Sequence, residues 1–270
     1  MDSNDSFRLR DRTALLTGPC GATNQAIASK LTQLGCDVAL VHHDVERARR
    51  FAEQLMNARE VQERFGRAIA IQASVGNPAQ AQDAITRAAE AFGGIDVYVD
   101  GGFATHPMPF RDPGSLEALE ESLDFNLRAP LLMTHGLMRF LEGRKRGRVI
   151  YLLHDLARLG VSQHALLAAT RMGLMQFAKS IAREAAEKSV TVNCVSMGVT
   201  EDFLLAQPAL VGAVAPTIQA EQAELAKAFP GATVMDPERI ANLVAFLASP
   251  LSSGITGQTI AVSQGLSAFA

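Results

Sequence analysis

The stretch Thr13-Ala14-Leu15-Leu16-Thr17-Gly18-Pro19-Cys20-Gly21-Ala22-Thr23-Asn24-Gln25-Ala26-Ile27 decides the reading of this chain. Its first five residues are a short, nearly continuous apolar run, the pattern of a strand covered on both faces. A glycine-containing turn follows. Ala26, Ile27, Leu31 and Leu34 then fall on one helical face as far as Gly35, a residue free to take the positive φ that ends a helix. Strand, glycine turn and helix in this order open a parallel α/β sheet.

Working outward, the same kind of run recurs at 38–42, 68–73, 95–99, 148–153, 190–195 and 259–262, which predicts seven strands. Each of the first six strands precedes a segment long enough for a crossover helix. Helices are expected at 77–92, entered through Asn-Pro and stopped at Gly93-Gly94, at 116–141, at 166–188, and at 237–248 with a proline in its first turn. The expectation is a Rossmann-like, doubly wound, seven-stranded parallel sheet in a single domain spanning 1–270. Residues 1–10 read as a flexible N-terminus. Residues 200–235, which hold Pro208, Pro216 and Pro230, read as a lid over a pocket or as an oligomer contact.

Of the 270 residues, 48% are apolar, enough for a sizeable core and too many for a disordered chain. The net charge is -3 and only 20% of residues are charged, so there is no broad electrostatic attraction to nucleic acid or to an anionic membrane. Cys20, Cys36 and Cys194 are odd in number and lack metal-type spacing, which points to reduced thiols and no metal site. With no apolar run fit for export or for a membrane span, a cytoplasmic protein is expected. There are 21 glycines, few of them where a nucleotide-binding turn of this type needs them.

Thr17-Gly18, Asn126, Gly147-Arg148-Val149-Ile150, Lys179 to Glu184, Val192-Asn193-Cys194-Val195, Pro237-Glu238 and Ile255-Thr256-Gly257-Gln258 occur in order along the chain. This series resembles the short-chain dehydrogenase/reductase family, most nearly its 3-oxoacyl-carrier-protein reductase branch. The resemblance implies an NAD or NADP site at the first β-α turn, where the family reads TGxxxGxG and the pyrophosphate sits on the helix N-terminus. Here Gly18 matches, Ala22 and Asn24 stand at the second and third glycine positions, and Gly21 is one residue out of register. At Ala22 and Asn24 a side chain adds bulk where phosphate oxygens would lie, and a positive φ at an alanine would cost about 1 kcal/mol. Asp44 is the one candidate for a ribose contact, and Ser74 replaces the family's adenine-contacting Asp. Asp100-Gly101-Gly102-Phe103 replaces the family's NNAG.

The resemblance also implies a catalytic Asn, Ser, Tyr and Lys. Asn126 is kept, whereas His154 falls at the Ser position, Leu167 at the Tyr position and Arg171 at the Lys position. Leucine has no titratable proton, so hydride transfer coupled to protonation by Tyr has no donor there. His154, Asp155, His164 and Arg171 are the candidates for replacement acid/base chemistry, with a histidine near neutral pKa beside a carboxylate. Otherwise His154 and Arg171 fill the vacated pocket, pairing with Asp155 as a structural network.

Three functional readings follow. The first is a non-catalytic binding or regulatory subunit without a nucleotide cofactor. The second is an enzyme of changed, nucleotide-independent chemistry through His154, Asp155 and Arg171. The third is an NAD(P)-dependent oxidoreductase with weak cofactor binding. The family's pairing of long helices further implies a homodimer or homotetramer, with an acyl group or acyl-carrier protein as ligand.

Overall fold

The computed structural model describes residues 7, 9–18, 20–61, 65–102, 104, 107–201 and 234–267, with backbone only for 59–61. The expected lid at 200–235 and most of the expected flexible N-terminus at 1–10 lie outside the described residues.

Strands β1 (Thr13–Thr17), β2 (Asp37–His42), β3 (Ala68–Gln72), β4 (Val97–Asp100), β5 (Arg148–His154), β6 (Thr191–Met197) and β7 (Thr259–Val262) form one sheet in the order β3-β2-β1-β4-β5-β6-β7. Every neighbouring pair is parallel, with registers such as Leu15↔Ala39 and Leu15↔Tyr98 on the two sides of β1. The strand order reverses between β1 and β4. In an open α/β sheet that reversal leaves a crevice beyond the carboxyl ends of the two strands.

Among the described residues the α-helices are α1 (Ala22–Gln33), α2 (Val45–Val61), α3 (Pro78–Phe92), α4 (Gly114–Leu123), α5 (Ala129–Arg144), α6 (Asp155–Leu159), α7 (Ala165–Ala185) and α8 (Pro237–Ala248). They cover both faces of the sheet. Ile27 and Leu31 of α1, Phe51 of α2 and Ile240 and Val244 of α8 pack with Leu16, Leu40 and Val99 on one side. Ala84 and Ile85 of α3, Met133 and Leu137 of α5 and Leu174 and Ala178 of α7 pack with Leu15, Tyr98 and Val149 on the other. Burying each large aliphatic side chain contributes about 1.5–3 kcal/mol, so these two layers supply the main driving force of the fold.

Local signals set the helix ends. Asn77 caps α3 by accepting from the backbone N–H of Ala79 and Gln80, and Gly93 closes it at φ 77°. The single helix expected at 116–141 is instead interrupted by a π-helical turn, Asp124–Arg128, between α4 and α5. Pro130 has no N–H to offer the carbonyl four residues back, that of Asn126, so the ladder widens at that point. None of the described helices is long and apolar enough to cross a membrane, and all three cysteines are buried and free.

Candidate functional site

Gly18 ends β1 at φ 113°, and a Cβ there would fall 2.5 Å from both the carbonyl carbon of Gly101 and the nitrogen of Gly102. Only glycine permits this approach of the first turn to the end of β4. Gly21 is the N-cap of α1 in an extended conformation, which places Ala22 at the first helical position. The strain expected at Ala22 therefore does not arise: neither Ala22 nor Asn24 has a positive φ, because both lie inside the helix. Asn24 acts through its side chain. It is buried and donates from Nδ2 to the Gly101 carbonyl at 3.2 Å, crossing from α1 to the loop after β4.

Arg171 does not pair with Asp155, contrary to expectation. It projects from α7 with no exposure, and its Nη1 lies 2.8 Å from Oδ2 of Asp100 at the end of β4. Thr17 Oγ1 donates to the other carboxylate oxygen at 3.3 Å and is itself 3.3 Å from the Tyr98 hydroxyl. Burial pushes the Asp100 carboxyl up against the opposing pull of Arg171 and Thr17. Burial likewise holds the Tyr98 phenol far above its ordinary range, and Tyr151, whose hydroxyl lies 2.6 Å from Thr134 Oγ1, is raised as well. Neither phenol is poised to exchange a proton near neutral pH.

Asp155 instead accepts from Ser196 Oγ and lies 3.6 Å from Arg158 Nη1. Register explains this: Leu153 pairs with Ser196, so the residue after β5 turns over the end of β6 rather than toward α7. His154 is fully buried and caps α6, its Nδ1 accepting from Leu156 N–H at 3.1 Å. The neutral ring thus carries its proton on Nε2. Burial first, and the charge of His164 second, push its pKa down to about 3. The histidine near neutral pKa expected from sequence is therefore replaced by one that stays uncharged through the physiological range.

His164 is buried at the N-cap of α7, with Nδ1 3.0 Å from the Ser162 carbonyl. Leu167 is buried one turn into the same helix. Asn126 is fully buried in the π-helical turn, where its amide accepts from Ala104 N–H at 2.7 Å and donates to Ala104 O at 2.9 Å. Both ends of that side chain fasten the loop after β4.

A cavity of about 580 Å³ lies at the β2 and β3 side of the crevice, lined by Gly18, His42, His43, Ser74, Asn77 and Arg128 among others. Ser74 faces it and donates its backbone N–H to Gln80 Oε1 at 2.8 Å. Asp44 is exposed and acts locally: its Oδ1 accepts from Arg47 N–H at 3.2 Å at the start of α2, which keeps its carboxyl below the ordinary value. Its N–H donates to His42 Nδ1 at 3.0 Å, and His42 stacks on His43 at 4.3 Å between ring centroids. Among the described residues no group of three or more His, Cys, Asp or Glu is placed to hold a metal.

A family model described as enoyl-(acyl carrier protein) reductase matches residues 23–267. The chain belongs to the short-chain dehydrogenase/reductase family. Relatives in that family include 3-oxoacyl-[acyl-carrier-protein] reductase FabG of Vibrio cholerae, 29% identical over 264 residues, which cover 96% of this chain and 99% of the relative. The (2S)-[(R)-hydroxy(phenyl)methyl]succinyl-CoA dehydrogenase subunit BbsC of Thauera aromatica is 29% identical over 259 residues, covering 96% of this chain and 95% of that one. A dehydrogenase/reductase from Sinorhizobium meliloti 1021 superposes with a TM-score of 0.83 at 28% identity, with 97% of each chain covered. The short-chain dehydrogenase/reductase frame thus extends over both halves of the sheet and includes the crevice built by Gly18, Asn24 and Asp100.

The Asp100–Arg171 pair escapes a position-by-position reading because its members lie 71 residues apart and each substitution looks tolerable alone. The signal was present: an acid and a base enter two apolar elements of one site together. Thr17 and Ser196, the hydroxyl partners of the two buried carboxylates, gave no signal of their own.

Proposed function

We propose that the protein is a non-catalytic member of its family, a binding or regulatory subunit in acyl metabolism. The buried Asp100–Arg171 pair carries this reading. The family resemblance assigns position 171 to the lysine that lowers the pKa of the catalytic tyrosine. Here that position is committed to a carboxylate at 2.8 Å, and position 167, assigned to the tyrosine, is a buried leucine. Two further observations support it. Asn24 replaces the glycine that packs helix against strand in a nucleotide-binding turn, and its buried side chain is spent on the Gly101 carbonyl, so the packing of this turn departs from that of a nicotinamide-nucleotide site. His154, at the serine position, is neutral and engaged as a helix cap, which also weighs against replacement chemistry through His154, Asp155 and Arg171.

Assembly belongs to the same reading. A groove of about 820 Å³ along α4, α5 and α7 is lined by Leu131, Leu132, Met138, Phe177 and Ile181. An apolar face of this size suits a second copy or an active relative, and the Thauera relative is itself named as a dehydrogenase subunit. The reading places the assembly in the cytoplasm, with an acyl group or acyl-carrier protein as the ligand class.

A second reading keeps a weak NAD(P)-dependent oxidoreductase, favoured by the open 580 Å³ cavity at Ser74 and His42. Thermal shift with NAD(H) and NADP(H) at millimolar concentration separates the two. A ligand at 100 times its Kd stabilises the native state by about 2.7 kcal/mol, which raises Tm by several degrees. No shift with any of the four nucleotides is expected. A clear shift overturns the non-catalytic reading.

A further inference from the structure

The amino-terminal edge of the sheet, at the opposite end from the crevice, carries its own concavity. In sheet order the residues that lead into the strands alternate in charge: Arg67 for β3, Asp37 for β2, Arg12 for β1 and Asp96 for β4. Beside them opens a cavity of about 710 Å³ whose walls include Arg10, Arg12, Asp37, Arg67, Phe92 and Arg144.

The ion pairs at this edge are unbalanced. Asp37 is taken up by Arg67, whose Nε and Nη2 lie 3.0 and 2.6 Å from Oδ2. Asp96, with no exposure, receives Arg146 Nε at 2.7 Å and has Arg144 Nε at 4.0 Å. Asp11 is exposed. Among the described residues, six arginines (Arg10, Arg12, Arg67, Arg144, Arg146 and Arg148) thus meet three carboxylates (Asp11, Asp37 and Asp96), an excess of three positive charges. Arg12 is the deepest of the arginines in the cavity wall at 6% exposure, and its Nη1 donates to the Arg146 carbonyl at 3.2 Å. Burial first, and then the charge of Arg146, hold its pKa below the ordinary value, against the opposing pull of Asp96. One wall is aromatic, with the Arg67 guanidinium 4.8 Å from the Phe92 ring centroid.

We propose that this cavity binds a small phosphate-bearing dianion, with the phosphoryl oxygens among Arg10, Arg12 and Arg144 and any organic part beside Phe92. The planar forks of arginine match phosphoryl oxygens, and a dianion offsets most of the excess charge.

The test is calorimetric titration of the full chain with phenyl phosphate, inorganic phosphate and benzoate. Saturable binding of a phosphate, at least about tenfold tighter than benzoate, is expected, since each charged hydrogen bond is worth about tenfold. Arg12→Gln is expected to weaken phosphate binding about tenfold. If that buried substitution impairs folding, Arg144→Gln serves instead, because Arg146 still holds Asp96. Phenyl phosphate binding more tightly than inorganic phosphate identifies an organic phosphate as the ligand class, and equal affinities identify phosphate itself. Absence of saturable phosphate binding, affinity no greater than for benzoate, or binding unchanged in both variants overturns the proposal.

Discussion

His154 gives the most quantitative check on the site. Its ring has no exposure and its pKa lies at about 3, against an ordinary value of 6.5. As pH falls below 6.5 the unfolded chain gains a proton at this position that the folded chain refuses. Unfolding therefore takes up protons, and stability is lost from about pH 6.5 down to about pH 3. Each tenfold difference in proton affinity is worth about 1.4 kcal/mol, so this histidine alone costs about 2 kcal/mol of stability at pH 5 and about 4 kcal/mol at pH 3. The comparison variant is His154→Asn, which cannot charge and whose carbonyl can accept from Leu156 N–H at the same cap. Urea unfolding of both proteins at intervals from pH 7.5 to 5 is the assay. Asparagine leaves a gap in the packing, so the variant is expected to be less stable at pH 7.5. The readout is the slope, with the wild type losing about 2 kcal/mol more than the variant over the interval. Curves that run parallel within about 0.5 kcal/mol would mean that the imidazole is charged or solvated in the native state. The acid/base reading of His154 would then reopen.

Three further outcomes follow from the geometry. Asp100→Asn strands the Arg171 charge and should cost about 3–5 kcal/mol in urea unfolding, whereas Asp100→Asn combined with Arg171→Met should recover much of that loss; additive costs would contradict the pairing. Gly18→Ala, with φ 113° and backbone atoms 2.5 Å from the new methyl, should lower stability by more than about 2 kcal/mol, and a variant with unchanged Tm would show that the turn is not closed against β4. In sedimentation velocity the protein should run as a dimer or tetramer, and Leu131→Asp together with Phe177→Asp should shift it to a monomer; a monomeric wild type would remove the apolar groove as an assembly face.

Much of the fold was legible in the sequence because burial on both faces writes itself as an apolar run. The runs at 13–17 and 259–262 are the strands themselves, and the others differ by a residue or two at their ends, where pairing rather than composition decides. The π-helical turn was illegible because Pro130 also reads as an ordinary first-turn residue of a helix. In the site, the identities at 24, 154, 167 and 171 could be read, but their partners could not. The ion pair of Arg171 with Asp100 and the cap made by His154 depend on which strand end lies beneath which helix, a property of topology rather than of spacing. The shift of His154 toward acid was equally hidden, because it comes from complete burial at the end of a strand whose last residues could have faced solvent.

The contact from Asn24 to Gly101 also limits how the lineage can change. A Cβ at Gly101 would sit 2.0 Å from Asn24 Oδ1, and one at Gly18 would strike the backbone of Gly101 and Gly102. Asn24 on α1 and the glycines of two separate loops are therefore locked to one another, and each is a background against which the others are tolerated. A glycine at 24 would remove a buried hydrogen bond and leave a gap without freeing Arg171 from Asp100. A lysine at 171 would leave Asp100 and the Asn24 contact as they are. A change at any one of positions 18, 24 and 101 therefore begins with a loss of stability, and an opening of this turn needs several of them changed together.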